Sequence, residues 1–345
     1  MWQTVDILNL DDSELRLWLR TRNYAAYRSR QILSWIFRKL VTDFDEMTNL
    51  PRKLIEELRS SFYIEGSRVQ AVSESADGSA VKLLIALRDG QKIETVRMSY
   101  RYGHSVCVSS QVGCKVGCPF CASGAGGFVR DLSAGEMLAQ VLSANRSLSG
   151  SSRVSSVVVM GMGEPLDNFD SLVRFLNLAH DPERLGLSYR RITVSTAGLV
   201  PRILDLAAFK LPITLAISLH AATDPLRDRL VPLNRVYPIA ALMDAAAAYV
   251  DTTGRRVTFE YALIQDVNDS RQCAQQLARL VRGMRCHVNL IPLNPVDGVS
   301  MSRSVRTDAF AAVLDEEGID VTVRRELGID IDAACGQLRR RLAEP

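Results

Sequence analysis

The short apolar run Val106-Cys107-Val108 leads, after a brief gap, into Cys114-Lys115-Val116-Gly117-Cys118-Pro119-Phe120-Cys121. Three thiolates within eight residues converge on one soft metal centre. The count of three is informative. Structural zinc wants four protein ligands and no vacancy. A [4Fe–4S] cluster held by three cysteines leaves one iron free for a substrate or cofactor. Gly113 and Gly117 let the loop wrap closely around such a group. The competing reading is a zinc site whose fourth ligand lies elsewhere, at His104 or Cys107. The cluster is favoured because the loop follows a predicted strand at the head of a strand–helix series.

Outward from that loop, apolar strand-like runs alternate with helical patterns. The runs are Val106–Val108, Val157–Met160, Ile192–Val194, Ile213–Ile217, Val257–Leu263 and Val288–Ile291, with a last one at Val321–Val323. Six such repeats predict an α/β fold with a parallel sheet, an open or partial (βα)6 barrel. Chemistry in such sheets sits at the carboxyl ends of the strands. Polar and glycine residues fall there: Gly161-Met162-Gly163-Glu164-Pro165, Ser195, Ser218-Leu219-His220, and Asn294. Their joint position predicts a cofactor pocket.

Upstream, the period changes. Arg68 to Tyr100 alternates with a period of two, broken by Asp77-Gly78 and Asp89-Gly90, which predicts β-hairpins. Before it lie short helices, the first capped by Asp12 or Ser13. Seven basic residues and no acid lie between Arg16 and Lys39, with Trp18, Tyr24, Tyr27, Trp35 and Phe37 interleaved. Phosphate attraction plus stacking rings suits RNA; aromatics filling a small core under solvated arginines suits the pattern equally. The expected division is a helical domain at 1–66, a β extension at 67–105, the barrel core at 106–326 and a terminal segment at 327–345 carrying Cys335.

Composition narrows the classes. The 345 residues are 47% hydrophobic and 23% charged, ordinary for a globular chain. No apolar run of about 18 residues argues for a membrane span. The start of the chain has no basic and apolar leader pattern, and seven cysteines then predict a reducing cytoplasm. A net charge of +3 is too small to argue for nucleic acid by itself. Cys273, Cys286, His180 and His287 have no constellation around them and are read as structural.

The spacing of the three cysteines, with Phe120 before the last, resembles the signature of radical S-adenosylmethionine (SAM) enzymes. Cys107-Val-Ser-Ser-Gln-Val-Gly-Cys114, Gly161-Met-Gly-Glu-Pro165, Ala216-Ile-Ser-Leu-His220, Arg227-Asp-Arg-Leu-Val-Pro-Leu-Asn-Arg235 and Asp332-Ala-Ala-Cys-Gly-Gln-Leu338 together resemble the RlmN/Cfr family. These are radical-SAM methyltransferases of adenine in large-subunit ribosomal RNA. The resemblance implies a [4Fe–4S] cluster on Cys114, Cys118 and Cys121, with Gly163, Glu164, Ser195, Ser218, Leu219, His220 and Asn294 around SAM.

The resemblance also implies a mechanism. Cys335 takes a methyl group from one SAM, and a second SAM is cleaved to a 5′-deoxyadenosyl radical that abstracts hydrogen from that methyl. The carbon then adds to the adenine, Glu94 removes the ring proton, and Cys107 attacks the sulfur of Cys335 to release the product. Two SAM molecules are used per turnover, an electron donor such as flavodoxin or ferredoxin is required, and the cysteines pass through a disulfide. The substrate is 23S rRNA, with tRNA as a second candidate. Residues Ala122–Phe128 read closer to the enzymes that methylate C2 than to those that methylate C8. A zinc-stabilised RNA-binding protein is the reading from a different class.

Overall fold

The computed structural model describes residues 4–296 and 298–338. Residues 1–3 of the leader reading and 339–345 of the terminal segment lie outside it. Three helices open the chain: α1 (Asp12–Arg20), α2 (Arg28–Phe37) and α3 (Arg52–Ser61). Asp11, rather than Asp12 or Ser13, caps α1. Its carboxylate accepts from the Glu14 amide while Glu14 accepts from the Asp11 amide. The reciprocal pair outcompetes the next two residues because it satisfies two orphan donors at once. Leu15, Leu19, Ile32, Leu33, Ile36, Leu54 and Leu58 form the apolar faces and are buried.

Among the described residues, ten strands join in one sheet. They are β1 (Ser67–Glu74), β2 (Ala80–Leu87), β3 (Lys92–Tyr100), β4 (Gly103–Cys107), β5 (Val154–Val159), β6 (Ile192–Thr196), β7 (Thr214–Ser218), β8 (Val257–Leu263), β9 (Cys286–Pro292) and β10 (Val321–Val323). Their order in space is their order in sequence, from β1 at one edge to β10 at the other. β1 to β4 pair antiparallel, as the hairpin signals predict. From β4 to β10 every pair is parallel.

The parallel strands are connected through a one-turn helix α4 (Ala122–Ala125) and longer helices α5 (Ala134–Arg146), α6 (Phe169–His180), α7 (Val200–Ala208), α8 (Asp224–Leu230), α9 (Ile239–Thr253), α10 (Arg271–Val281) and α11 (Thr307–Glu316). The Ser133–Glu136 capping box starts α5 as its sequence predicts. The architecture is the predicted α/β partial barrel with a helical N-terminal region. The boundary expected between 105 and 106 falls inside β4, because the antiparallel extension continues the barrel sheet without a break. Among the described residues, no helix is long and apolar enough to cross a membrane.

Polar contacts dock the helical region on α5 and α6. Arg174 donates to the Asn9 carbonyl at 2.7 Å and pairs with Glu14. The Gly135 amide donates to Asn9 Oδ1 at 2.7 Å. Arg146 donates from both terminal nitrogens to Glu65 at 2.8 and 2.5 Å and from Nε to the Leu40 carbonyl at 3.0 Å. The Glu65 side chain is only 4% exposed, and its burial pushes the carboxyl up while Arg146 opposes the shift. Arg146→Met leaves a buried carboxylate without its fork of donors. The expected loss is about 3–5 kcal/mol by chemical denaturation, and the double variant Glu65→Gln/Arg146→Met should lose less.

Candidate functional site

The parallel strands present their carboxyl ends to one mouth, and the loops there pack unusually close. The Gly161 amide donates to the Val108 carbonyl, and the Ser110 and Gln111 amides share the Met162 carbonyl. Gly163 has φ of 103°, and a Cβ there sits 2.5 Å from the Gln111 side chain. Gly113, at φ of 79°, brings its position within 1.7 Å of the Gly127 carbonyl when a Cβ is added. Both need glycine for backbone conformation and for space.

A cleft opens between these loops. Its lining includes Cys114, Cys118 and Cys121 on one side and Gly163, Glu164, Ser195, Ser218, His220 and Asn294 on the other. With Cys335, which lines it too, the structure brings ten of the predicted residues to one cleft. Leu219 is the exception among the strand-end residues: its side chain is fully buried in the core. Its carbonyl instead accepts from Arg227 at 3.1 Å. Leu219 follows the last residue of β7 and packs into the core, while Ser218 and His220 on either side line the cleft.

Glu164 is pinned by backbone. Its carboxylate accepts from the Ala197 amide at 2.7 Å and the Leu166 amide at 3.0 Å. Burial outweighs these bonds and raises its carboxyl to about 7. It ties the glycine loop after β5 to the end of β6. His220, at φ of 57°, accepts at Nδ1 from the Ala262 amide at 2.9 Å. Burial lowers its imidazole to about 3, so the ring is neutral and that hydrogen bond assigns the proton to Nε2.

Arg227 is fully buried and gathers the ends of β6 and β7. It donates to the carbonyls of Ala197, Ser218 and Leu219 and to Asn234 Oδ1.

The terminal segment closes the mouth. The Ala122 amide donates to the Gly336 carbonyl at 2.7 Å, Ser123 to the Leu338 carbonyl at 2.7 Å, and Asn294 Nδ2 to the Cys335 carbonyl at 3.0 Å. Cys335 thereby borders two neighbouring cavities. One is the cleft of the three cysteines; the other reaches Cys107, Met98, Tyr100 and Arg324. Both Cys107 and Cys335 are free thiols. Burial pushes Cys107 up to about 12; the nearby Cys335 adds to the shift and Arg324 opposes it. Glu94 lies in the wall behind, 1% exposed, and does not line either cavity among their described residues. It faces Lys82 at 3.6 Å.

Arg324 and Lys82 were not singled out by sequence reasoning. Arg324 lines both cavities, and its guanidinium is raised, chiefly by Cys335. Its signal was weak: a charged residue directly after the last strand-like run. Lys82 had less, a lone lysine inside the apolar run of β2.

The donor set fits the predicted groups. Burial raises the Cys114, Cys118 and Cys121 thiols, and neighbouring thiols add to the shift for each, a penalty that bound iron relieves. Among the described residues no three His, Cys, Asp or Glu side chains gather as for a single metal ion. His104, a possible fourth zinc ligand, is engaged by Ser99 at the other end of β4 and lines neither cavity. Asn294 Oδ1 is buried without a partner among the described residues, an acceptor suited to an amino group in the cleft. Protein reconstituted without oxygen is expected to bind about four iron and four sulfide per chain. Alanine at Cys114, Cys118 or Cys121 should abolish that uptake by metal analysis, whereas zinc in place of iron overturns the assignment.

Comparison with known proteins agrees over nearly the whole chain. Residues 5–64 match the Ribosomal RNA large subunit methyltransferase N-terminal domain, and residues 108–276 match the Radical SAM superfamily. A probable dual-specificity RNA methyltransferase RlmN of Geobacillus kaustophilus is 49% identical over 338 residues, covering 97% of this chain and 92% of its own. Its counterpart in Carboxydothermus hydrogenoformans is 47% identical over 343 residues, covering 98% of each. The crystal structure of a radical SAM methyltransferase from Sphaerobacter thermophilus superposes with a TM-score of 0.95 at 47% identity, covering 97% of this chain and 99% of its own. With the cysteine loop, the strand-end cleft and the terminal cysteine in place, the chain belongs to the RlmN family of radical SAM RNA methyltransferases.

Proposed function

We propose that this protein methylates C2 of an adenosine in 23S rRNA, and an adenosine of tRNA as well, through a methyl group carried on the sulfur of Cys335. The observation that carries the reading is the place of Cys335, on the boundary between the cleft of the three cysteines and the cavity of Cys107. A carrier must face both the group that loads it and the group that unloads it. The dual-specificity RNA methyltransferases of the relatives support two RNA substrates. Ala122–Phe128, which resembles the C2 enzymes, supports the regiochemistry. When bound, the cluster on Cys114, Cys118 and Cys121 passes an electron from a donor such as flavodoxin or ferredoxin to one SAM, and a second SAM supplies the methyl group.

The chain's own residues do the rest. The Cys335 thiolate takes the methyl group by polar displacement; one hydrogen atom of that methyl leaves with the 5′-deoxyadenosyl fragment of the cleaved SAM, its carbon bonds to the base while still on the sulfur, and the odd electron of the adduct would return to the oxidised cluster. Glu94 removes the ring proton. Cys107 then attacks the sulfur of Cys335. A sulfur–sulfur bond forms as the carbon–sulfur bond breaks; the bond pair leaves with the carbon, which takes a proton to become the methyl group. The disulfide is reduced before the next cycle, in keeping with a cytoplasmic setting. The high Cys107 value leaves it a thiol at neutral pH, inert until it is deprotonated.

The N-terminal helices support RNA binding. Lys39 lies 3.2 Å from the Trp35 ring centroid, Arg22 4.3 Å from Trp18 and Arg28 4.9 Å from Tyr27. These rings are at least partly exposed while Phe37 is buried, so core filling and a basic aromatic face coexist.

Mass spectrometry of 23S rRNA and tRNA from cells with and without this protein reports the base and the carbon. Methyladenosine at C2 in both is expected; C8, or no change, overturns the reading. Cys107→Ala should accumulate a covalent RNA–protein adduct, and Cys335→Ala should carry no methyl group by intact mass.

A further inference from the structure

Lys82 sits on β2 and Glu94 on the adjacent β3, both within the sheet that continues the barrel. The two residues are 4% and 1% exposed. Lysine is seldom buried to this extent without compensation. Lys82 Nζ lies 3.6 Å from Glu94 Oε1 and donates to the main-chain carbonyl of Asp332 at 3.1 Å. One ammonium thus touches the proposed base and the loop that carries Cys335 three residues further on.

A turn at Ile329–Ile331 leads into the loop, and the Asp332 and Ala333 amides donate back to the Ile329 and Gly328 carbonyls. Asp332 has φ of 51°, a left-handed conformation that few residues adopt. Its carbonyl points away from the turn to accept from Lys82. The hairpin of β1 and β2 meets the same loop at two further points. The Ala76 amide donates to Asp330 at 2.8 Å. Gly328, at φ of 68°, lies so close to Ala80 that an added Cβ stands 2.8 Å from the Ala80 Cβ. Those contacts anchor the loop to the sheet, and neither reaches Glu94. The Lys82 contact alone among these three joins loop and carboxylate.

We propose that Lys82 is a positioning residue that sets the Glu94 carboxylate against the Cys335 loop, so that base and carrier thiol act on the RNA adduct in one register. The proposal rests on the reading of Glu94 as the base and Cys335 as the carrier. Lys82 touches no reacting atom in this account. It balances the charge of the carboxylate and fixes the start of the loop. The step that depends on it is removal of the ring proton from the adduct. Loading of the methyl group onto Cys335 precedes that step and does not involve Glu94.

The test uses full-length reconstituted enzyme with 23S rRNA extracted from cells lacking it. For each variant three quantities are read: methyl on Cys335 by intact mass, covalent RNA–protein adduct on a denaturing gel, and methylated RNA. Lys82→Met is expected to load Cys335 as wild type does, to accumulate the adduct, and to slow release of methylated RNA by about 10- to 100-fold. Lys82→Arg, which keeps charge and donors, should restore release. Equal losses of loading, adduct and product, with no rescue by Lys82→Arg, mean a general structural role and overturn the proposal. Should Lys82→Met lose iron or melt early, Lys82→Gln is read in the same way, since it keeps a donor for the Asp332 carbonyl and removes the charge facing Glu94.

Glu94→Gln separates the two levels. If it turns over as wild type does, the assignment of the base fails and takes the proposal with it. If it stalls at the adduct while the lysine variants do not, the role of Lys82 alone is wrong.

Discussion

The hydrogen bonds that hold residues 332–338 across the mouth of the barrel place Cys335 between the two cavities on which the chemistry depends. Their partners come from far apart in the chain: Lys82 on the second strand, Ala122 and Ser123 beside the cysteine loop, Asn294 and Pro295 after the ninth strand. The segment itself has no helix or strand beyond a turn at Ile329–Ile331. An irregular loop pays conformational entropy for each ordered residue, so its one arrangement depends on these distributed contacts. Cys335 faces two cavities because the loop is tied on both sides of it, through Asn294 at its own carbonyl and Ala122 at the next.

Burial then determines how each ionisable group behaves. Glu164, Glu65 and the four cysteines at 107, 114, 118 and 121 are all shifted toward their neutral forms by desolvation. His220 is likewise held neutral. Arg227 gives its donors to the strand-end carbonyls of Ala197, Ser218 and Leu219 and to Asn234, which fixes the backbone behind the cleft. A site assembled this way is pre-organised: its polar groups are oriented before any ligand arrives.

The helical region and the barrel meet through charged groups as well as apolar faces. Arg146, Arg174 and Arg184 all reach from the barrel to main-chain oxygens at 9, 10 and 40. Such forks orient one unit on another more strictly than apolar contact does. The basic aromatic face is therefore carried in a defined orientation relative to the mouth.

Much of the architecture was legible from periodicity. The alternation of apolar runs with helical patterns predicts the parallel strands from Val106 onward, and Asp77-Gly78 and Asp89-Gly90 predict the hairpins. The cysteine spacing marks the loop, since three ligands close in sequence are close in space whatever the fold does. Local chemistry was less decisive where neighbours compete: Asp11 caps the first helix although Asp12 and Ser13 are as good in type. Leu219 shows that adjacency to pocket residues does not put a side chain in the pocket: it packs into the core between two residues that line the cleft.

The sequence by itself determined the order of strands and helices, the three-cysteine loop and the identity of the strand-end residues, because each rests on interactions within a few residues. Only the tertiary structure decided that Cys335 and Cys107 line one cavity, that Lys82 bridges Glu94 and Asp332, and that Arg324 borders both cavities. Those juxtapositions join residues up to 250 positions apart. They exist because the sheet carries its strands side by side and the last segment folds back over their ends, a geometry that no local pattern encodes.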